Sequence, residues 1–173
     1  MNFDGFRIVT QRFILRPLAP EDATARYASW LADPKAQRFI SAANGSPDVE
    51  ALKGYIAQRC NREDVLFLGI FDKRNGLHIG NIKYEPINSE LGYAIMGVLI
   101  GDPDYRSRGV TPEVLWASAV WLNHHRRIKQ ILLGVDEENK VAIRAYEKVG
   151  FVIAETPYIQ RAGPGIVTMI WQL

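Results

Sequence analysis

"VLFLGIFDKRNGLHIGNIKYEPINSELGYAIMGVLIG", residues 65–101, reads as three strands in succession. Residues 65–71 are apolar at both odd and even positions, so the strand is buried on both faces and central to its sheet. Asn75-Gly76 marks the tip of a hairpin turn. Residues 77–87 form the return strand and residues 91–101 a third strand. A meander of this kind excludes a doubly wound, all-parallel sheet.

The neighbouring segments extend that reading. Upstream, "FRIVTQRFILRPL" (6–18) alternates apolar and polar residues as one or two strands. "APEDATARYASWLADP" (19–34) reads as a helix begun by Pro20, with Glu21 and Asp22 at its positive end and Pro34 as its stop. "SAANGSPD" is a loop, and "DVEALKGYIAQRC" (48–60) a helix with Val49, Leu52 and Ile56 on one stripe. Downstream, a helix is expected from Pro112 to about Arg126, then a buried strand at 129–135. "NKVAIRAYEKVG" (139–150) is a helix ended by Gly150, and two final strands flank "AGPG". Only the middle of the chain alternates strand and helix, so an α+β fold with a mixed sheet is expected.

The chain has 173 residues, 47% apolar and 23% charged, with net charge +2. This is the composition of one ordinary globular domain spanning 1–173, and no nucleic-acid or membrane partner is expected. A single cysteine, Cys60, excludes an internal disulfide and suits a reducing compartment. The N-terminus has no apolar stretch of signal-peptide kind, so the expected location is cytoplasmic. His124 and His125 are adjacent, point to different faces and make no metal pair; no metal site is expected.

Chemistry concentrates in "YRSRGVTPE", residues 105–113. Gly109 removes a Cβ from the turn, and Pro112 suits a first helical turn. Backbone N–H groups from about 107 to 111 can converge there on an anion at a helix N-terminus. Arg106 and Arg108 add charge and planar donor forks. The stretch is neither a Walker loop nor a Rossmann fingerprint. Taken alone, it is equally readable as a capped loop.

Three blocks together resemble the GNAT N-acetyltransferase superfamily. "RSRGVT" resembles its pyrophosphate loop, although Thr111 stands where Gly or Ala is preferred. "VDEENKVAIRAYEKVGF" resembles its second block, with Asn139 and Tyr146 seven positions apart. "IVTQRFILRPLAPEDA" resembles the branch that contains the ribosomal-protein N-terminal acetyltransferases. The resemblance covers nearly the whole chain. It implies about seven strands in a mostly antiparallel sheet flanked by four helices, splayed between the strand at 91–101 and that at 129–135.

It also implies acetyl-CoA as cosubstrate and a primary amine as acceptor, on a small molecule such as an amino sugar or on a protein N-terminus, attacked directly in a ternary complex. Cofactor contacts fall on Val98, Leu99 and Ile100, on Arg106, Ser107, Arg108, Gly109, Val110 and Thr111, and on Asn139 and Tyr146. Asn139 and Tyr146 share a helix face about 10 Å long, as one extended ligand would require. From the residues alone, Asn139 reads equally as a helix cap and Tyr146 as a core aromatic. With the resemblance, Tyr146 becomes the acid that protonates the leaving thiolate.

Relatives often carry Glu where this chain has Ile95. Glu90 is the substitute base considered, with Glu85 and Asp102 read as surface charges. Arg26, Tyr27, Trp30 and Asn81, with the loop at 39–48, are candidates to face the acceptor, and Trp116 and Trp121 are read as core or packing residues. A CoA-binding regulatory module without chemistry is the alternative, favoured by Ile95 and Thr111. Monomer and homodimer are both compatible with the sequence.

Overall fold

The computed structural model describes residues 5–32, 48–159 and 164–173. Pro34, the loop at 39–47 and the first half of the "AGPG" turn lie outside them. The strands are β1 (Ile8–Val9), β2 (Phe13–Pro17), β3 (Leu66–Asp72), β4 (His78–Asn88), β5 (Tyr93–Ile100), β6 (Gln130–Asp136), β7 (Val152–Ile153) and β8 (Ile166–Gln172). The helices are α1 (Ala25–Ala32), α2 (Val49–Ala57), α3 (Val110–Arg126) and α4 (Lys140–Val149). The eight strands form one sheet in the order β1-β2-β3-β4-β5-β6-β8-β7. All neighbours run antiparallel except β5 and β6. The sheet is therefore mixed and mostly antiparallel, with one strand more than expected because the first and seventh strands are two-residue edge pieces.

Each face of the sheet carries its own core. On one side, Val110, Val114, Leu115, Ala119 and Leu122 form a stripe on α3 and pack with Ile143 and Tyr146 of α4 against Ile82, Tyr84, Ala94 and Met96. The stripe follows the 3.6-residue period of an amphipathic helix. Its buried polar groups are satisfied within the core. The Ser118 hydroxyl donates to the Val114 carbonyl at 2.7 Å and lies 2.7 Å from the Tyr84 hydroxyl. On the other side, Tyr27 and Trp30 of α1 and Leu52 and Ile56 of α2 pack on Phe67 and Leu99.

The first predicted helix is interrupted. Residues Pro20–Asp22 make one 3-10 turn, and α1 starts anew after Thr24, whose hydroxyl accepts from the Tyr27 N–H at 3.1 Å. α3 starts at Val110, two residues before the expected Pro112, because Gly109 takes the left-handed N-cap position. Trp116 is not a core residue. It is 58% exposed and meets Trp171 edge-on, whereas Trp121 lies half-buried between Phe6 and His125.

Two predictions follow from this packing. A Cβ on Gly80 would stand 2.2 Å from the Leu99 carbonyl oxygen of the neighbouring strand. Gly80→Ala should cost about 2–3 kcal/mol through strand displacement, read as a loss in the urea midpoint. His78 of β4 lies among Phe71, Tyr27 and Trp30, with its Nε2 buried and, among the described residues, unpartnered. Burial pushes its pKa down to about 4. The neutral ring is the form that folding favours, so its contribution is complete above about pH 6.5 and fades as pH falls toward 4. Stability should drop by up to about 3 kcal/mol over that window, and His78→Phe should remove this part of the slope in pH-dependent urea unfolding.

Candidate active site

β5 and β6 pair only through Tyr93↔Gln130, Ala94↔Ile131 and Ile95↔Leu132. Beyond Ile95 the two strands part, as the family resemblance implies, while β5 stays paired with β4 as far as Ile100. The Gly101 N–H donates to the Ile79 carbonyl at 3.0 Å, on the β4 side. Backbone polar groups alternate along an antiparallel strand, so Leu99 also turns toward β4 and Met96, Val98 and Ile100 turn toward the gap. The close approach of the Leu99 carbonyl to Gly80 agrees with this. Of the three residues expected to pair with a ligand, Val98 keeps that geometry with both backbone groups and Ile100 with its N–H. Leu99 does not: its backbone belongs to β4 and its side chain to the α1–α2 core.

The loop from β5 to α3 closes the far end of the gap. Asp102 accepts from the Asp104 N–H at 2.9 Å and ion-pairs with Arg26, whose guanidinium also donates to the His78 carbonyl. Asp102 is therefore a buried structural residue, contrary to its reading as a surface charge. The Tyr105 hydroxyl donates to Asp72 at 2.6 Å. Arg106, expected to present its fork to an anion, instead donates to the Ile100 and Gly101 carbonyls at 3.0 and 2.9 Å and holds the loop against the strand end.

Ser107 and Gly109 both have positive φ, 58° and 71°, on either side of Arg108. Alternation of this kind turns successive N–H groups into one concavity, a backbone nest for an anion. It runs directly into the first turn of α3, where Val110 and Thr111 add N–H groups and the positive end of the helix dipole. Thr111 is helical, so its β-branch does not disturb the loop. Ser107, Arg108 and Gly109 are exposed at the surface.

Three residues to which sequence reasoning gave no role hold this loop from behind. Arg12, between β1 and β2, donates to the Arg108 carbonyl at 2.9 Å and the Gly109 carbonyl at 3.0 Å. Its Nε pairs with Glu113 at 2.6 Å, and Glu113 also accepts from the Arg12 N–H at 2.8 Å and the Thr10 hydroxyl at 2.6 Å. Burial opposes charge on Glu113, but these donors outweigh it and hold its carboxyl below the usual range. The available signal was an acidic residue in the first turn of a helix beside an otherwise cationic loop.

On α4, the Asn139 side chain accepts from the Ala142 N–H at 3.2 Å and so caps the helix. Ile143 and Tyr146 lie on the face that meets the sheet. Tyr146 is 9% exposed and packs on Phe151. Burial pushes its pKa up to about 12, and among the described residues its hydroxyl has no hydrogen-bond partner.

The opposite side of β5 is open at Gly97, where an added Cβ would meet nothing within 4 Å. Beside it on β4 stands Lys83, which donates to the Tyr55 hydroxyl at 2.6 Å and to Glu85 at 2.8 Å. Arg59 and Arg62 also bind Glu85, at 2.8 and 2.7 Å. Burial works against ionisation of Glu85, yet Lys83 and Arg59 keep its carboxyl below its ordinary range. Glu90 lies in the exposed turn before β5, at the paired end of the β5–β6 interface, and is not brought to the gap. Tyr27, Trp30 and Asn81 are buried, with Asn81 donating to the Tyr27 hydroxyl at 2.8 Å. Among the described residues no cluster of His, Cys, Asp and Glu could hold a metal ion, and no helix is long and apolar enough to cross a membrane.

The family model of the GNAT acetyltransferase domain matches residues 12–152. Among solved structures, the chain is similar to RimL, a ribosomal L7/L12 alpha-N-protein acetyltransferase in complex with coenzyme A. Identity is 13% and the TM-score 0.83, covering 97% of this chain and 98% of that one. It is also similar to a GNAT-family acetyltransferase from Bacillus anthracis, at 15% identity and TM-score 0.79 over 96% and 98% of the two chains. A spermidine N-acetyltransferase from Vibrio cholerae in complex with CoA and spermine matches at 17% identity and TM-score 0.76 over 93% and 95%. A splayed β5–β6 pair, an amide-lined turn into α3 and a match through both motif blocks converge on one assignment: the chain belongs to the GNAT acetyltransferase family.

Proposed function

We propose that residues 1–173 act as one domain that transfers an acetyl group from acetyl-CoA to a primary amine of low pKa. A peptide α-amine or an amino sugar has the required chemistry. The observation that carries this reading is the edge of β5 that β6 leaves uncovered beyond Ile95, with the Val98 backbone and the Ile100 N–H facing the gap, leading into the nest at Ser107–Thr111. The pantetheine arm adds to Val98 and Ile100 as an extra strand. The diphosphate is received by the amides of residues 107–111, with Arg108 at the rim. Asn139 flanks the arm near α4.

The amine enters over Gly97 and attacks the thioester carbonyl. The N–C bond forms, charge collects on the carbonyl oxygen, and a backbone N–H on the gap side of β5 beyond the β6 ladder faces it. The C–S bond then breaks, the amine nitrogen loses its extra proton to water, and the sulfur leaves as a thiolate. Tyr146 donates to that sulfur. A phenol with pKa near 12 gives up its proton to a thiol of reference pKa ~8.5 only uphill, so most of its work is a hydrogen bond to the developing anion.

Among the described residues, no free carboxylate replaces the one absent at Ile95. Glu85 is the nearest on this face, and three cations hold it ionised and weakly basic. Deprotonating a lysine-like amine at pH 7 costs about 5 kcal/mol, and an α-amine about 1. This difference selects the low-pKa acceptor. Ile95 speaks to the choice of acceptor and the need for a base, and gives no support to a binding module without chemistry. Thr111 leaves the loop intact.

Tyr146→Phe should lower kcat by about 10- to 1000-fold with little change in KM for acetyl-CoA, measured as CoA thiol release. An unchanged kcat would remove Tyr146 from the mechanism. Across a panel of amines, kcat/KM at pH 7 should fall as amine pKa rises. Preferential turnover of polyamines would contradict the proposed acceptor class.

A further inference from the structure

We propose that Arg12 is a positioning residue for the diphosphate site, an inference that rests on the acetyl-CoA reading. Peptide planarity supplies the mechanism. The carbonyl of one residue and the N–H of the next share a plane and point in opposite directions. Arg12 binds the carbonyls of Arg108 and Gly109 with separate nitrogens, Nη1 and Nη2. Fixing those two oxygens directs the N–H groups of Gly109 and Val110 away from Arg12, toward the outer side of the loop.

Without the clamp, the Arg108–Gly109 peptide plane could rotate, in an exposed loop with left-handed residues at 107 and 109. The Gly109 carbonyl also accepts the first bond of α3, so there Arg12 adds a second donor to a plane the helix already holds. Arg12 also places a full positive charge behind the carbonyls. That charge draws electron density along both amides and strengthens their N–H groups as donors to an anion.

The clamp is itself preorganised. Glu113 takes the Arg12 Nε and the Arg12 backbone N–H, and is held in turn by Thr10. The guanidinium therefore has one face committed to Glu113 and its two terminal nitrogens committed to the loop. The geometry uses a planar fork with three nitrogens, which a lysine ammonium cannot reproduce. It also ties the β1–β2 turn to the N-terminus of α3 across about a hundred residues of sequence, so the cofactor site depends on the first strands of the chain.

Three variants and two donors separate positioning from mere folding. Acetyl-CoA carries the diphosphate and S-acetylpantetheine does not. In Arg12→Gln, the KM for acetyl-CoA should rise about tenfold or more, the loss expected for a charge-assisted hydrogen-bonding group, with kcat little changed. The kcat/KM for S-acetylpantetheine should stay at its wild-type value. Arg12→Lys should restore little, and Glu113→Gln should give an intermediate rise confined to acetyl-CoA. Calorimetric binding of CoA gives the same comparison without turnover.

Equal losses with both donors, or no loss with acetyl-CoA, would overturn the clamp while leaving the acetyltransferase reading in place. A wild-type protein that binds no CoA would overturn both. If Arg12→Gln does not fold, Arg12→Lys and Glu113→Gln decide the matter by the same donor ratio.

Discussion

A parallel pair of strands that stops after three residues leaves a problem in the middle of a sheet. β5 has neighbours along its whole length on the β4 side, but on the β6 side its ladder ends at Ile95. The next unclaimed groups on that edge, the Met96 carbonyl, the Val98 backbone and the Ile100 N–H, must find water or a ligand, because unpaired peptide groups in an apolar setting cost free energy. Elsewhere the sheet closes its ladders: β6 pairs with β8 from Gln130 to Asp136 without interruption. The gap thus lies on one edge of β5 while the far side of β6 is paired throughout. The other features of the site are arranged around it.

The two ends of the gap are built differently. At the paired end, apolar contact and ring stacking close it: the Tyr93 and Tyr158 rings lie 4.2 Å apart and nearly parallel. At the open end, backbone geometry takes over. The β5–α3 loop gathers its own side chains inward, with Asp102 on Arg26, Tyr105 on Asp72 and Arg106 on the strand-end carbonyls. Carbonyls and carboxylates are consumed within the protein, which leaves amides pointing outward. That division leaves Arg108, of the loop's two arginines, exposed at its rim.

Much of the fold was legible because its signals were local. The meander at 65–101, the Asn75-Gly76 hairpin and the left-handed stop at Gly150 are each set by adjacent residues, and each appears as expected. The misses required distant partners. Arg12 and Glu113 are separated by 101 positions, and nothing in either neighbourhood announces the other. Asp102 reads as a surface charge until Arg26 of α1 covers it. Trp116 carries the size of a core residue, yet the α3 stripe through Val114, Leu115, Ser118 and Leu122 leaves it on the outer face. For Leu99, residue type was uninformative. Only strand alternation, fixed by the Gly101–Ile79 bond, tells which backbone groups face the gap.

The face that would receive the amine has an electrostatic character of its own. Lys83 stands directly across from Gly97, and the surrounding cluster sets Lys83, Arg59 and Arg62 against Glu85 and Asp64. One positive charge remains in excess. An ammonium brought to Gly97 meets that excess, whereas a neutral amine does not, and the difference grows as the site dries and screening weakens. A cation near an amine lowers its pKa, so an acceptor bound there, as proposed, would be shifted toward the form that can attack. On the proposed reaction, the chain thereby replaces a proton acceptor at position 95 with a field that makes less proton removal necessary. On that proposal an acceptor whose own pKa is already near neutrality needs only a small further push, and Ile95 and Lys83 would act together.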